Sequence, residues 1–169
     1  MLGDSVAESK HHPFNMLDKT HHPTPGTILT TDQVADITLT QHFRLLEFLF
    51  LGTHPDNLPD AQIVANLMFG CATILEPARK DILCAIHINS GYRNPEYNAA
   101  VGGVEHSQHM QGCAADIRPA NPSTFSRLVE VLKQNPFVDQ LLTARSGWLH
   151  VSWCPSGIPR HDYRPNYYK

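Results

Sequence analysis

This chain lacks a marked excess of either positive or negative charge. Its 169 residues hold 13 Lys and Arg against 16 Asp and Glu, a net charge of −3, so no basic field exists to attract nucleic acid. No run approaches the roughly 18 apolar residues of a membrane span. The first residues lack a basic start followed by an apolar stretch, so no cleaved secretion signal is visible. The four cysteines, Cys71, Cys84, Cys113 and Cys154, are too scattered for a Cys-x-x-Cys zinc or redox site. Free buried thiols are the plain expectation, although spacing alone leaves a disulfide such as Cys71–Cys84 open. What remains is an ordinary folding composition, 41% apolar and 17% charged, sized for one domain with a loose end.

Residues 1–36 read as an extended arm. They hold the pairs His11-His12 and His21-His22 among prolines, without apolar periodicity. From Gln41 to Phe50 the placing of Phe43, Leu46 and Phe50 predicts a helix capped by Thr40 and ended by Gly52 and Pro55. Pro59-Asp60 opens a second helix, the longest, whose Ile63, Leu67, Cys71, Ile74 and Leu75 gather on one face. Alternation over Ile82, Cys84, Ile86 and Ile88 predicts a strand, with His87 on it as a packed histidine. A short helix follows from Asn94 or Pro95 to Ala100. Another starts at Asn121-Pro122-Ser123, carries Phe125, Leu128, Val129 and Leu132 on its apolar face, and stops at Pro136. Phe137–Leu142 and Trp148–Trp153, joined by a turn at Arg145-Ser146-Gly147, read as a hairpin. The tail from residue 156 reads as packing on the domain surface.

The stretch with chemistry in it is Ser107-Gln108-His109-Met110-Gln111-Gly112-Cys113-Ala114-Ala115-Asp116. Gly112 allows a sharp change of direction between the histidine and a short strand, Cys113–Ile117. An aspartate inside that apolar run is costly to bury unless it is paired or binds metal. Downstream, Trp148, His150 and Ser152 share one face of the last strand. Imidazole and carboxylate both suit zinc, and three protein ligands leave a position open for chemistry. Eleven histidines make any single one weak, and a metal-free structural domain stands beside the zinc reading.

These residues, with Ser90-Gly91-Tyr92-Arg93-Asn94-Pro95, Val101-Gly102-Gly103 and Asp139-Gln140-Leu141-Leu142, resemble the zinc D-alanyl-D-alanine carboxypeptidases of the M15 peptidase class, whose metal site resembles that of the hedgehog signalling domain. The resemblance covers about residues 37–155. It implies an α+β fold, a small, mainly antiparallel sheet with helices packed on one side, carrying Cys84, Asp116 and His150 on central strands. It implies zinc held by His109, Asp116 and His150, with Arg93 binding or orienting substrate and supporting an oxyanion, and Ser107 shaping the site beside the substrate. Zinc would acidify a water and polarise the scissile carbonyl. The implied substrate is the peptidoglycan stem peptide, cut at D-Ala-D-Ala or at an internal L-Ala-D-amino acid bond. Location follows from the same resemblance, a phage-encoded or bacterial protein acting at the cell wall after release.

One residue departs from the pattern. The family carries a general-base glutamate six residues before the last histidine, where this chain has Ala144, and no acid lies between Leu141 and His150. Glu105 and His106, beside the metal loop, are the candidate replacements, with Asp139 and His161 behind them. The alternative is a catalytically impaired zinc-binding relative that holds wall peptide or a protein partner. Oligomeric state is not legible.

Overall fold

The computed structural model describes residues 26–168. The His11-His12 and His21-His22 pairs lie outside that range. Within the expected arm, Leu29 and Val34 are buried and Thr31–Ala35 forms a short helix, α1, rather than extended chain. Thr30 caps it by accepting from the Gln33 amide, while the Gln33 side chain accepts from the Thr30 amide, a reciprocal capping box.

The helix expected over Gln41–Phe50 does not form. Thr38–Thr40 (β1) and Phe43–Arg44 (β2) make a small antiparallel pair, followed by a 3-10 turn at Leu45–Phe48. The reason is a long-range competitor: Glu76 accepts from both the His42 amide and His42 Nδ1, each at 2.8 Å. Holding His42 in this way favours the turn over a weak local helix preference. The buried set becomes Phe43, Leu45, Phe48 and Leu49, while Leu46, expected on the apolar face, is exposed.

The long helix forms as expected, started by Asp60, whose side chain accepts from the Ile63 amide. It runs as α2 (Ala61–Gly70), a wide π turn (Cys71–Leu75) and α3 (Glu76–Ile82). Pro77 accounts for the widening. It has no N–H to offer the Thr73 carbonyl four residues back and its ring crowds that oxygen. The Glu76 amide reaches back five residues to Cys71, and Asn135 Nδ2 satisfies the Thr73 carbonyl at 2.8 Å. By length and composition alone Ala61–Ile82 could cross a membrane. Its buried stripe of Val64, Leu67, Cys71, Ile74, Leu75 and Ala78 faces the protein core instead.

Because the helix persists through Ile82, the strand expected from that residue starts four residues later, as β3 (Ile86–Ser90). Leu83 closes the helix in the left-handed region, φ 50°, and is 90% exposed. Cys84 therefore precedes the sheet rather than lying on a central strand. His87 is exposed, not packed. All four cysteines are free thiols, so Cys71 and Cys84 are not bridged.

After α4 (Pro95–Ala100) come β4 (Ala114–Pro119), α5 (Phe125–Gln134), β5 (Val138–Ala144), β6 (Leu149–Trp153) and β7 (Asp162–Tyr168). The strand order is β3-β4-β6-β5-β7, antiparallel except that β7 runs parallel to β5. The fold is α+β, with a mixed sheet and helices alongside. Register decides the two faces. Ala115, Val151 and Leu141 align across β4, β6 and β5 on the face buried against the helices, where the Trp153 indole packs on Gly70 and donates to the Asn66 carbonyl at 2.9 Å. One residue out of step, Asp116, His150 and Leu142 align on the opposite face.

Candidate metal centre

His150 and Asp116 are cross-strand partners, which puts an imidazole and a carboxylate directly beside one another. His109 arrives from outside the sheet, on a 3-10 turn at Gln108–Gln111. Ser107 starts that turn, its hydroxyl accepting from the His109 amide at 3.3 Å. Gly112 ends it at φ 65°, a left-handed position, with the Ile63 carbonyl 2.8 Å from where a Cβ would stand. A side chain there would be strained and would collide with α2.

The three ligand atoms form a small triangle. His109 Nε2 lies 3.2 Å from His150 Nδ1 and 3.3 Å from Asp116 Oδ1, and the last two are 2.9 Å apart. Tetrahedral zinc with bonds of about 2.0–2.2 Å needs ligands about 3.3–3.6 Å apart, so the triangle closely approximates one face of such a site. Protonation strengthens the fit. His109 Nδ1 sits 2.6 Å from the Gly91 carbonyl and must donate to it. In the neutral ring Nε2 is then a bare lone pair pointing at a carboxylate oxygen and a second imidazole nitrogen. Such a cluster can hold a metal ion in place of the proton that otherwise bridges His150 Nδ1 and Asp116 Oδ1. Burial lowers the pKa of His109, favouring the neutral ligand form, against the opposing pull of Asp116. Burial pushes the Asp116 carboxyl up, but hydrogen bonds and charge from the imidazolium forms of His109 and His150 outweigh it and hold it well below the usual carboxylate range. The donor set fits zinc.

Arg93 closes the outer side of this centre. Its Nη2 donates to Asp116 Oδ2 at 2.7 Å, leaving Oδ1 for the triangle, and its Nε donates to Ser90 Oγ at 2.9 Å. The turn carrying Arg93 is fastened by Asn57, a fully buried side chain that no sequence pattern singled out. Asn57 Nδ2 donates to the Leu49 and Tyr92 carbonyls at 2.6 and 2.8 Å, and its Oδ1 accepts from the Asn94 amide at 2.7 Å. Gln108, next to His109, donates to Asp139 at 3.0 Å, and Arg160 holds both oxygens of that aspartate. The carboxyl of Asp139 is raised by burial but lowered further by Arg160 and Gln108, and ends below its ordinary range.

The triangle lies in a cleft of about 500 Å³ that Arg93, His106, Ser107, Trp148, Arg160 and Tyr168 help to line. Among the described residues lining it, Asp116 is the one carboxylate. The two candidate bases separate here: His106 lines the cleft, whereas Glu105 is exposed and does not. Asp139 is occupied by Arg160 and Gln108, and His161 does not line the cleft either. Trp148 and Tyr168 stack with ring centroids 4.7 Å apart, a contact with no signature in the sequence.

No curated protein matches the chain. The family model described as Peptidase M15 matches residues 57–152, a segment that contains all three candidate ligands and the Arg93 turn. That segment is more than half of the chain, and with its His-Asp-His cluster it places this protein in the M15 peptidase family.

Proposed function

We propose that this protein is a zinc-dependent hydrolase of peptidoglycan stem peptides, cutting at D-Ala-D-Ala or at an internal L-Ala-D-amino acid bond, and acting at the bacterial cell wall after release from a phage or bacterial cytoplasm. The observation that carries the reading is the triangle of His109 Nε2, Asp116 Oδ1 and His150 Nδ1, three acceptors held in a family whose members hydrolyse peptides. When bound, zinc supplies Lewis-acid polarisation of a carbonyl and an acidified water. His109, Asp116 and His150 hold it; Gly91 and Arg93 orient the first two of these. Arg93, through the charge it adds at the cleft wall, favours an anionic group of the substrate or a developing oxyanion. His106, exposed on the cleft rim, is the side chain placed to accept and return a proton in place of the missing glutamate.

A second reading is favoured by Ala144 together with the lack of a second carboxylate among the described residues lining the cleft: a zinc module that holds wall peptide without cutting it. One experiment separates the two. Metal analysis of the purified protein is joined to mass spectrometry of muropeptides after incubation with peptidoglycan. About one zinc per chain, with new products that disappear in His109→Ala and on chelation, supports the hydrolase. Zinc without products supports the binding module. A chain that holds no zinc sinks both.

A further inference from the structure

The family match stops at Ser152, yet the cleft does not. Its far wall is built by β7, and the geometry there is unusual. Between Leu142 and Ala144 on β5 the partner strand advances from Arg164 to Tyr168, so two residues face four. Asn166 absorbs the excess in the left-handed region at φ 52°, and its amide donates to Thr143 Oγ1 at 2.9 Å. The bulge sets Tyr168 opposite Ala144. On the other side of Ala144, the Ala144 amide donates to the Trp148 carbonyl at 2.9 Å. Trp148 and Tyr168 therefore flank Ala144 from both sides, and their rings meet at 4.7 Å and 28° above the strand between them. The strand is anchored at its start, where Arg160 and the Arg160 amide clasp Asp139 and Gln140 donates to Asp162 at 2.7 Å.

We infer that Tyr168 is a substrate-binding residue of the cleft, forming with Trp148 an aromatic wall against which the bound peptide lies and to which its hydroxyl donates a hydrogen bond. The inference rests on the reading of this cleft as a peptide site. An aromatic face suits the flat amides and small methyl side chains of an alanine-rich peptide, and a phenol suits a peptide carbonyl or carboxylate. A phenol is protonated at neutral pH, so the hydroxyl is free to act as that donor.

The test compares unmodified protein, Tyr168→Ala and Tyr168→Phe, each zinc-loaded and full-length, with a synthetic stem pentapeptide ending in D-Ala-D-Ala as probe. Zinc content and thermal melting establish that each variant is folded and metallated. Calorimetry gives Kd, and KM is recorded beside kcat if the peptide is cleaved. Tyr168→Ala is expected to weaken binding roughly tenfold with zinc retained. Tyr168→Phe keeps the ring and loses the donor, so it should weaken binding about threefold. Tyr168→Ala binding within twofold of the unmodified protein, with zinc and fold intact, overturns the assignment alone. Failure of the unmodified zinc protein to bind the probe sinks the peptide-site reading, and this inference with it.

Discussion

Ala144→Glu asks directly whether the cleft lacks only a base. Leu142 faces His150 across the hairpin, so position 144 is the diagonal neighbour of a candidate metal ligand, about 7–8 Å away and within reach of a long side chain. A positioned general base is worth about 10²–10⁴ in rate. Two features of the structure subtract from that. The new carboxylate must part the Trp148–Tyr168 stack, a contact worth about 0.5–1.5 kcal/mol or roughly two- to tenfold. It also enters a buried position, 3% exposed, which favours the protonated form and costs stability while raising its basicity. The net expectation is a gain of roughly tenfold to thousandfold in stem-peptide cleavage, with a lowered melting temperature. The assay is the initial rate of product release by mass spectrometry, with zinc content matched between the proteins. A zinc-replete Ala144→Glu that cleaves no faster than the unmodified chain would refute the idea that position 144 is the seat of the missing base.

Two further outcomes follow from the packing and the charges. In Gly70→Ala the new methyl would stand 2.2 Å from the Trp153 ring, which is pinned by its bond to Asn66, so overpacking of about 1–3 kcal/mol outweighs the helix gain of up to about 1. The melting temperature should fall by several degrees; an unchanged or raised value would show that the indole moves freely. For Asp139, folding holds the carboxyl below its ordinary pKa, so the stability it contributes is present above about pH 4 and fades as pH drops through the depressed value. The stability gap between unmodified protein and Asp139→Asn should therefore shrink from neutral pH towards about pH 3 in melting scans, and a gap that stays constant would rule the clasp out as its source.

What was legible in the sequence was local. Asp60 and Asn94 announce helix starts because a cap needs one side chain and an amide three residues on. Gly112 marks the reversal between His109 and the Asp116 strand because backbone conformation is written at a single position. The candidate metal cluster was legible through a resemblance carried by several motifs; the register that sets Asp116 opposite His150 is a three-dimensional fact that no spacing encodes. Contacts across the fold were hidden. Glu76 captures His42 across 34 positions and overrides the expected helix, and Asn57 ties the Arg93 turn from 37 positions away. β7 escaped notice because Pro165 and charged neighbours do not look like a strand, yet an edge position is where proline is tolerated.

The widened turn at Cys71–Leu75 has a consequence for how this protein can change length. Each residue in an α-helix advances the side chain direction by about 100°. A π turn advances each residue by only about 80°, so the five residues Cys71–Leu75 rotate the chain about as far as four α-helical residues would. One residue could therefore be removed there, and the stretch wind as regular helix apart from Pro77, with the two halves kept in phase. Glu76 would still face His42, and Asp81 would still face Arg127, with which it pairs at 2.6 Å. The turn thus absorbs one residue of length, whereas the same deletion in α2 would swing every later side chain of the helix by about 100°.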